Sequence, residues 1–188
     1  MAHLTDEDIA GRVQKGETQW FAFLVERYEP KITRYARKFL FGHEDRQDLI
    51  QDIFIKAFTN IKSFDTSRKF SPWIYRIAHN EFINTIKKKG RDYLTFFDTD
   101  TLLPQAVYEE EKSEIDEVAL KKMLDTSLDK IDSKYREPLV LYYYEELDYQ
   151  AIADIMHIPI STVGVRLRRG KEALKKVVQE LNPEHAPQ

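Results

Sequence analysis

Between Phe70 and Arg91 the chain reads FSPWIYRIAHNEFINTIKKKGR, a spacing of side chains that few folds accommodate. Ile74, Ala78, Phe82 and Ile86 recur every four residues, which on a helix places all four along one stripe. Pro72 suits a first helical turn, where its missing N–H has no intrahelical partner to lose, and Gly90 suits a stop. The pattern predicts a helix from Trp73 to Lys89. On its other side stand Trp73, Arg76, Asn80, Asn84 and Lys87, running into Lys88, Lys89 and Arg91. Such a face offers cations to phosphates, amides to base edges and an aromatic plane to an unstacked base. It is also the pattern of a solvated helix whose basic end complements the macrodipole. Residue chemistry alone leaves both readings open.

The rest of the chain agrees with an all-α fold. Gly-Gly and Asn-Gly hairpin signals are absent from its 188 residues. With no cysteine, disulfides, thiolate metal sites and a cysteine nucleophile are excluded. The start, MAHLTDEDIAG, lacks the apolar core of a signal peptide, and no run approaches the roughly 18 apolar residues of a membrane span. A cytoplasmic protein is expected. The net charge of −3 does not suggest a general nucleic-acid binder, but its distribution is uneven. Acids dominate from Asp92 to Val118, whereas Arg166, Arg168, Arg169, Lys171, Lys175 and Lys176 crowd one later stretch.

Thr5 and Asp8 read as a capping box and Gly16 as the end of a first helix. Thr18 is placed to cap a second, which Pro30 is expected to break or kink, with the pattern carried on to Gly42. A third is expected from Asp45, with Ile50, Ile53, Phe54, Ala57, Phe58 and Ile61 inward and Asp48, Gln51, Asp52 and Lys56 on a wet face. From Asp92 to about Ser113 the periodicity dissolves into a tether that still carries Leu94, Phe96, Phe97, Leu102 and Leu103. Helical spacing resumes with Val118, Met123 or Leu124, Leu128 and Ile131, then with Leu139, Leu141, Tyr142 and Tyr143 behind a Pro138 placed near a helix start. Asp148 can cap a helix from Tyr149 to His157. After a short turn, Ser161 can cap the last helix, which continues through Val163, Val165, Leu167, Leu174 and Val178. A helix, a tight turn and a second helix with a cationic side have the layout of a helix-turn-helix, which places Thr162, Arg166 and Arg169 to meet base edges.

Read together, DLIQDIFIKAF with FSPWIYRIAHN resembles the first domain of bacterial sigma factors, and LDYQAIADIMHIPISTVGVRLRRGKEAL resembles the second. A chain holding only these two domains is similar to the extracytoplasmic-function class. The resemblance implies a region-2-like domain over residues 1–91, an acidic flexible linker over 92–117, a region-4-like helix-turn-helix domain over 118–182 and a tail over 183–188. It implies that Asp48, Gln51, Asp52 and Lys56 bind core RNA polymerase, overturning the wet-face reading. Phe64, Trp73, Arg76, Asn80, Asn84, Lys87 and Lys88 would take the minus-ten element, a flipped base entering the Ser63–Phe70 loop. Ser161, Thr162, Arg166, Arg168, Arg169 and Lys171 would read the minus-thirty-five element. The implied partners are core polymerase (beta-prime clamp helices and beta flap), promoter DNA and an anti-sigma factor, which in this family is commonly membrane-anchored. No small-molecule substrate is implied.

The chain departs from the family pattern in three places. Val165 stands where serine or threonine is common, Ala151 where glutamate is common, and Ile131-Asp132 where a Leu-Pro step is frequent. Two rival classes fit less well. An autonomous helix-turn-helix regulator would read duplex DNA without polymerase, whereas the Trp73–Lys87 face suits single strands. An enzyme would need converging chemistry, but the five histidines are far apart without metal spacing, and no phosphate loop or nucleophile motif occurs. No catalytic residue, metal or cofactor is expected.

Overall fold

The computed structural model describes residues 4–38, 43–88 and 117–181. The expected linker, its apolar residues, Gly42, Gly90, Lys89, Arg91 and the tail lie outside the described residues. Among those described there are eight α-helices and no strand. The first four are α1 (Asp6–Gln14), α2 (Phe21–Arg37), α3 (His43–Asn60) and α4 (Phe70–Lys88). The second four are α5 (Glu117–Lys130), α6 (Ser133–Tyr143), α7 (Tyr149–Met156) and α8 (Ile160–Leu181).

Local chemistry sets most of the ends. The Thr5 hydroxyl accepts from the Asp8 N–H at 3.1 Å, and the Asp8 carboxylate accepts from the Thr5 N–H at 3.2 Å, closing the expected capping box. Gly16 follows α1 with φ +98°, a conformation that favours glycine. Thr18 does not cap α2. It lies in a 3-10 turn, Thr18–Trp20, from which the chain enters α2 with no side-chain cap. Nor does Pro30 break α2, because Leu24 and Tyr28 before it and Ile32 and Tyr35 after it stay buried on one stripe. That packing offsets the missing hydrogen bond. α3 starts at His43 and α4 at Phe70, both earlier than expected, with Pro72 still in the first turn of α4. The Phe70 N–H is satisfied across the fold by Glu7 Oε1 of α1 at 3.0 Å.

The first four helices enclose a core centred on Leu24, Ile32, Tyr35, Ile53, Ile74 and Phe82, none of which reaches solvent. Tyr35 and Tyr75 meet edge to face at 5.4 Å within it. In the second set, Asp132 caps α6 through the Lys134 N–H at 3.1 Å, so the departure at Ile131-Asp132 supplies a helix start of its own. Pro138 lies inside α6, not near its start, and Tyr143 is exposed. Asp148 caps α7 through the Ala151 N–H at 2.7 Å. His157 adopts the left-handed conformation, φ 54°, that ends α7, and the chain turns through Pro159 into α8. Ser161 falls inside α8 instead of capping it.

The two halves pack against each other. α7 lies on α4, and polar side chains join α2 and α4 to α6 and the loop after it. Buried Glu137 accepts a hydrogen bond from the Tyr35 hydroxyl and lies 2.6 Å from His79 Nδ1. Arg34 pairs with Glu145 at 2.6 Å, and Arg136 donates to the Lys38 carbonyl at 2.5 Å.

Candidate nucleic-acid and polymerase interface

The outer face of α4 presents Arg76, Asn80, Asn84, Lys87 and Lys88 to solvent, as the four-residue stripe requires. Trp73 is half-buried, its ring 5.3 Å from Phe64 and 5.4 Å from Phe70. Phe64 itself is buried and meets Phe70 edge to face, so it forms the floor beneath Trp73. The loop above this floor is held from two sides. Gln14 of α1 donates to the carbonyls of Ile61 and Phe64 at 2.8 and 2.7 Å. Asp65 accepts from the Ser67 hydroxyl at 2.7 Å and from its N–H at 3.0 Å, which holds the Asp65 carboxyl below the usual carboxylate range. The result is a cavity of about 440 Å³ bounded by Phe64, Arg68, Trp73 and Arg76 on one side. Asp148 and Asp154 of α7 bound it on the other. Gln14 was not among the residues expected to matter; its 47-residue separation from Ile61 hides it from any local pattern.

On α3, Asp48, Gln51 and Asp52 are exposed as expected. Lys56 is exposed as well and pairs with Glu81 of α4 at 2.5 Å. Gln51 lies at the rim of a groove of about 690 Å³ between α2 and α3, whose apolar lining includes Phe21, Val25, Phe54 and Phe58. Ile55 and Phe58 are 53% and 40% exposed, so Phe58 is not the inward residue its spacing suggested. An apolar groove with a charged rim is the usual anatomy of a protein-binding surface. The signal for it was present: Ile55 falls outside the buried stripe and is apolar without a core to fill.

On α8, Ser161, Arg168 and Lys171 are exposed, and Thr162 and Arg169 are half-buried. Arg166 requires correction. It is only 5% exposed, because it falls between Val163 and Gly170 on the buried side of the helix. Val165 is 37% exposed. Lys171 Nζ lies 5.7 Å from the centre of the Tyr143 ring. His79, beside Asn80, is buried against Glu137 and takes no part in the exposed face. Among the described residues no group of three or more metal-ligating side chains converges, and no helix is long and apolar enough to cross a membrane.

Comparison with known proteins agrees with this geometry. The Sigma-70 region 2 family model matches residues 24–92, spanning α3, the loop and α4. The Sigma-70, region 4 model matches residues 121–174, spanning the helix-turn-helix. The ECF RNA polymerase sigma factor SigW of Bacillus subtilis (strain 168) is 36% identical over 184 residues, covering 90% of this chain and 95% of SigW. Two solved structures share the fold. CnrH, in complex with the cytosolic domain of CnrY, has a TM-score of 0.67 at 21% identity, covering 93% of this chain and 97% of CnrH. The sigma factor RpoE, in complex with the anti-sigma factor NepR from Bartonella quintana, has a TM-score of 0.63 at 22% identity, covering 85% and 96%. With both domain types in order and a relative matched along nearly its whole length, this chain belongs to the extracytoplasmic-function (ECF) RNA polymerase sigma factors, which direct transcription initiation at promoters.

Proposed function

We propose that this sigma factor divides initiation among three surfaces. The α2–α3 groove, with Asp48, Gln51 and Asp52 at or beside its rim, takes core polymerase at the beta-prime clamp helices. The α4 face takes the melted minus-ten strand: Arg76, Lys87 and Lys88 meet phosphates, Asn80 and Asn84 meet base edges, and the Phe64–Trp73 floor receives a flipped base. The start of α8, through Ser161, Thr162, Arg168, Arg169 and Lys171, reads the minus-thirty-five duplex. The second domain also meets the beta flap, and an anti-sigma factor of the kind solved with RpoE holds the protein when it is idle. The chain acts on cytoplasmic polymerase as its promoter-recognition subunit. Each DNA contact is weak alone, and tethering both domains to one polymerase multiplies their effects. This accounts for a net charge of −3 on a DNA-directed protein.

The observation that carries this reading is the exposed row Arg76, Asn80, Asn84, Lys87 and Lys88 beside an aromatic floor. Asn80 is exposed, so its truncation should leave fold stability within about 0.5 kcal/mol. Asn80→Ala is expected to impair promoter opening, followed by permanganate reactivity of unpaired thymines, while core polymerase binding stays at the wild-type level. Unimpaired opening would remove Asn80 from the strand-reading face, and lost polymerase binding would contradict the division of surfaces.

A further inference from the structure

From Ile61 to Phe70 the chain forms the loop and floor that would receive a flipped base, yet only Ile61, Phe64 and Phe70 of this stretch are buried. Its internal bonds are local. The Phe64 N–H donates to the Ile61 carbonyl, the Arg68 N–H to the Asp65 carbonyl, and Ser67 to the Asp65 carboxylate. Each shapes one turn, and none fixes the loop against the helices beside it.

α1 does. Glu7, Gly11 and Gln14 stand at i, i+4 and i+7, along one stripe of that helix. Each meets a different point of the loop, in reverse chain order. Glu7 Oε1 accepts from the Phe70 N–H at 3.0 Å, where the loop ends. Thr66 lies beside Gly11, its Cγ2 3.7 Å from where a Cβ would stand. Gln14 Nε2 donates to the Ile61 and Phe64 carbonyls at 2.8 and 2.7 Å, where the loop begins. The core residues of α1 are others, Ile9, Ala10 and Val13, and Asp6 ties the helix to α2 by accepting from the Tyr28 hydroxyl at 2.7 Å. α1 is therefore docked without help from the loop, and its 7–11–14 stripe is left over to hold it.

What the stripe holds is the aromatic floor. The Phe64 ring lies 5.3 Å from both Phe70 and Trp73, and the backbones of Phe64 and Phe70 are the ones bonded to Gln14 and Glu7. A loop already in its binding conformation gives up less freedom when a ligand arrives. A loop free to leave it binds with an affinity reduced by the fraction in place.

We propose that α1 is a splint for the base-capturing loop, in which Gln14 as donor and Glu7 as acceptor are positioning residues for minus-ten recognition, acting through the backbone of the floor. The proposal rests on the assignment of this loop to a flipped base.

The test uses holoenzyme and fluorescence anisotropy on single-stranded minus-ten oligonucleotides from a promoter it opens, each carrying one abasic position in turn. In the wild type one abasic position should cost about tenfold in affinity, the order of a single base–aromatic contact. Gln14→Met, similar in length and neutral but without donors, should weaken the intact oligonucleotide by about fivefold and shrink the abasic penalty to below about threefold. Glu7→Met should do the same, and Glu7→Gln, which keeps an acceptor for the Phe70 N–H, should restore both values. Core polymerase binding and circular dichroism should match the wild type throughout. General damage to the fold would weaken every oligonucleotide alike and leave the ratio of intact to abasic affinity unchanged. If the wild type shows the penalty and Gln14→Met keeps it in full, the splint is overturned and the loop assignment stands. If no abasic position matters in the wild type, the assignment fails and the splint with it. Equal losses in Glu7→Gln and Glu7→Met would overturn the role given to the Phe70 N–H.

Discussion

Arg166, Arg168 and Arg169 lie within one turn of α8, yet their surroundings differ: Arg168 is exposed, Arg169 half-buried and Arg166 buried. Charge nominated all three for DNA. Helical phase separates them, since Val163, Leu167 and Gly170 define the buried stripe and Arg166 stands three residues after the first and four before the last. That phase was legible in the sequence, but an arginine on an apolar stripe is easily read as a contact waiting for a ligand. Removing a buried charged side chain costs about 1–3 kcal/mol, whereas surface truncations stay within about 0.5 kcal/mol. Arg166→Ala should therefore lower the urea midpoint with an unchanged slope, and Arg168→Ala should leave the midpoint in place while weakening minus-thirty-five binding. An unchanged midpoint for Arg166→Ala would show that the side chain is solvated in the protein.

At the scale of the element, periodicity identified the helices well because each buries a stripe, and Ile74, Ala78, Phe82 and Ile86 are all buried as the spacing required. What it missed came from elsewhere in the chain: the Glu7 carboxylate that satisfies the start of α4, and the packing that carries α2 through Pro30. Two glycines in α8 show how a partner element reverses a local rule. By propensity, glycine to alanine inside a helix gains about 1 kcal/mol. At Gly164 an added Cβ would meet only Tyr149 Cε2 at 3.6 Å, ordinary contact. At Gly170 it would meet Leu139 Cδ1 at 2.9 Å and the Tyr135 carbonyl oxygen at 3.1 Å, where α6 crosses α8. The leucine tip can turn aside; the carbonyl cannot. Gly164→Ala should raise the thermal midpoint, and Gly170→Ala should lower stability by about 1–3 kcal/mol, the usual cost of overpacking. Equal stabilisation by both would mean the α6–α8 crossing is looser than the structure places it.

The whole molecule holds what no local pattern carried. Two domain types were legible because each has its own motif, but Glu137 lies 58 residues from His79 and 102 from Tyr35, and only their meeting reveals how the halves join. Three tyrosines report on that join and the core beside it. Burial pushes the hydroxyls of Tyr28, Tyr35 and Tyr75 well above their usual range, helped by the charges of Asp6, Glu137 and Glu145 respectively. A tyrosine in the unfolded chain loses its proton near pH 10, while these keep theirs in the folded one. The stability they contribute is therefore intact below about pH 10 and is lost as pH rises toward their folded values, at about 1.4 kcal/mol per pH unit for each. Urea unfolding between pH 9 and about 11.5 should show that decline. Part of the phenolate absorbance should appear only when the helices are lost. In Glu137→Ala the carboxylate that burdens Tyr35 is gone, so one phenolate should form at lower pH, with Tyr28 unaffected because its neighbouring charge is Asp6 of its own half. If Glu137→Ala left every phenolate where the wild type has it, Glu137 would not be buried on Tyr35 in solution, and the two halves would not be joined there.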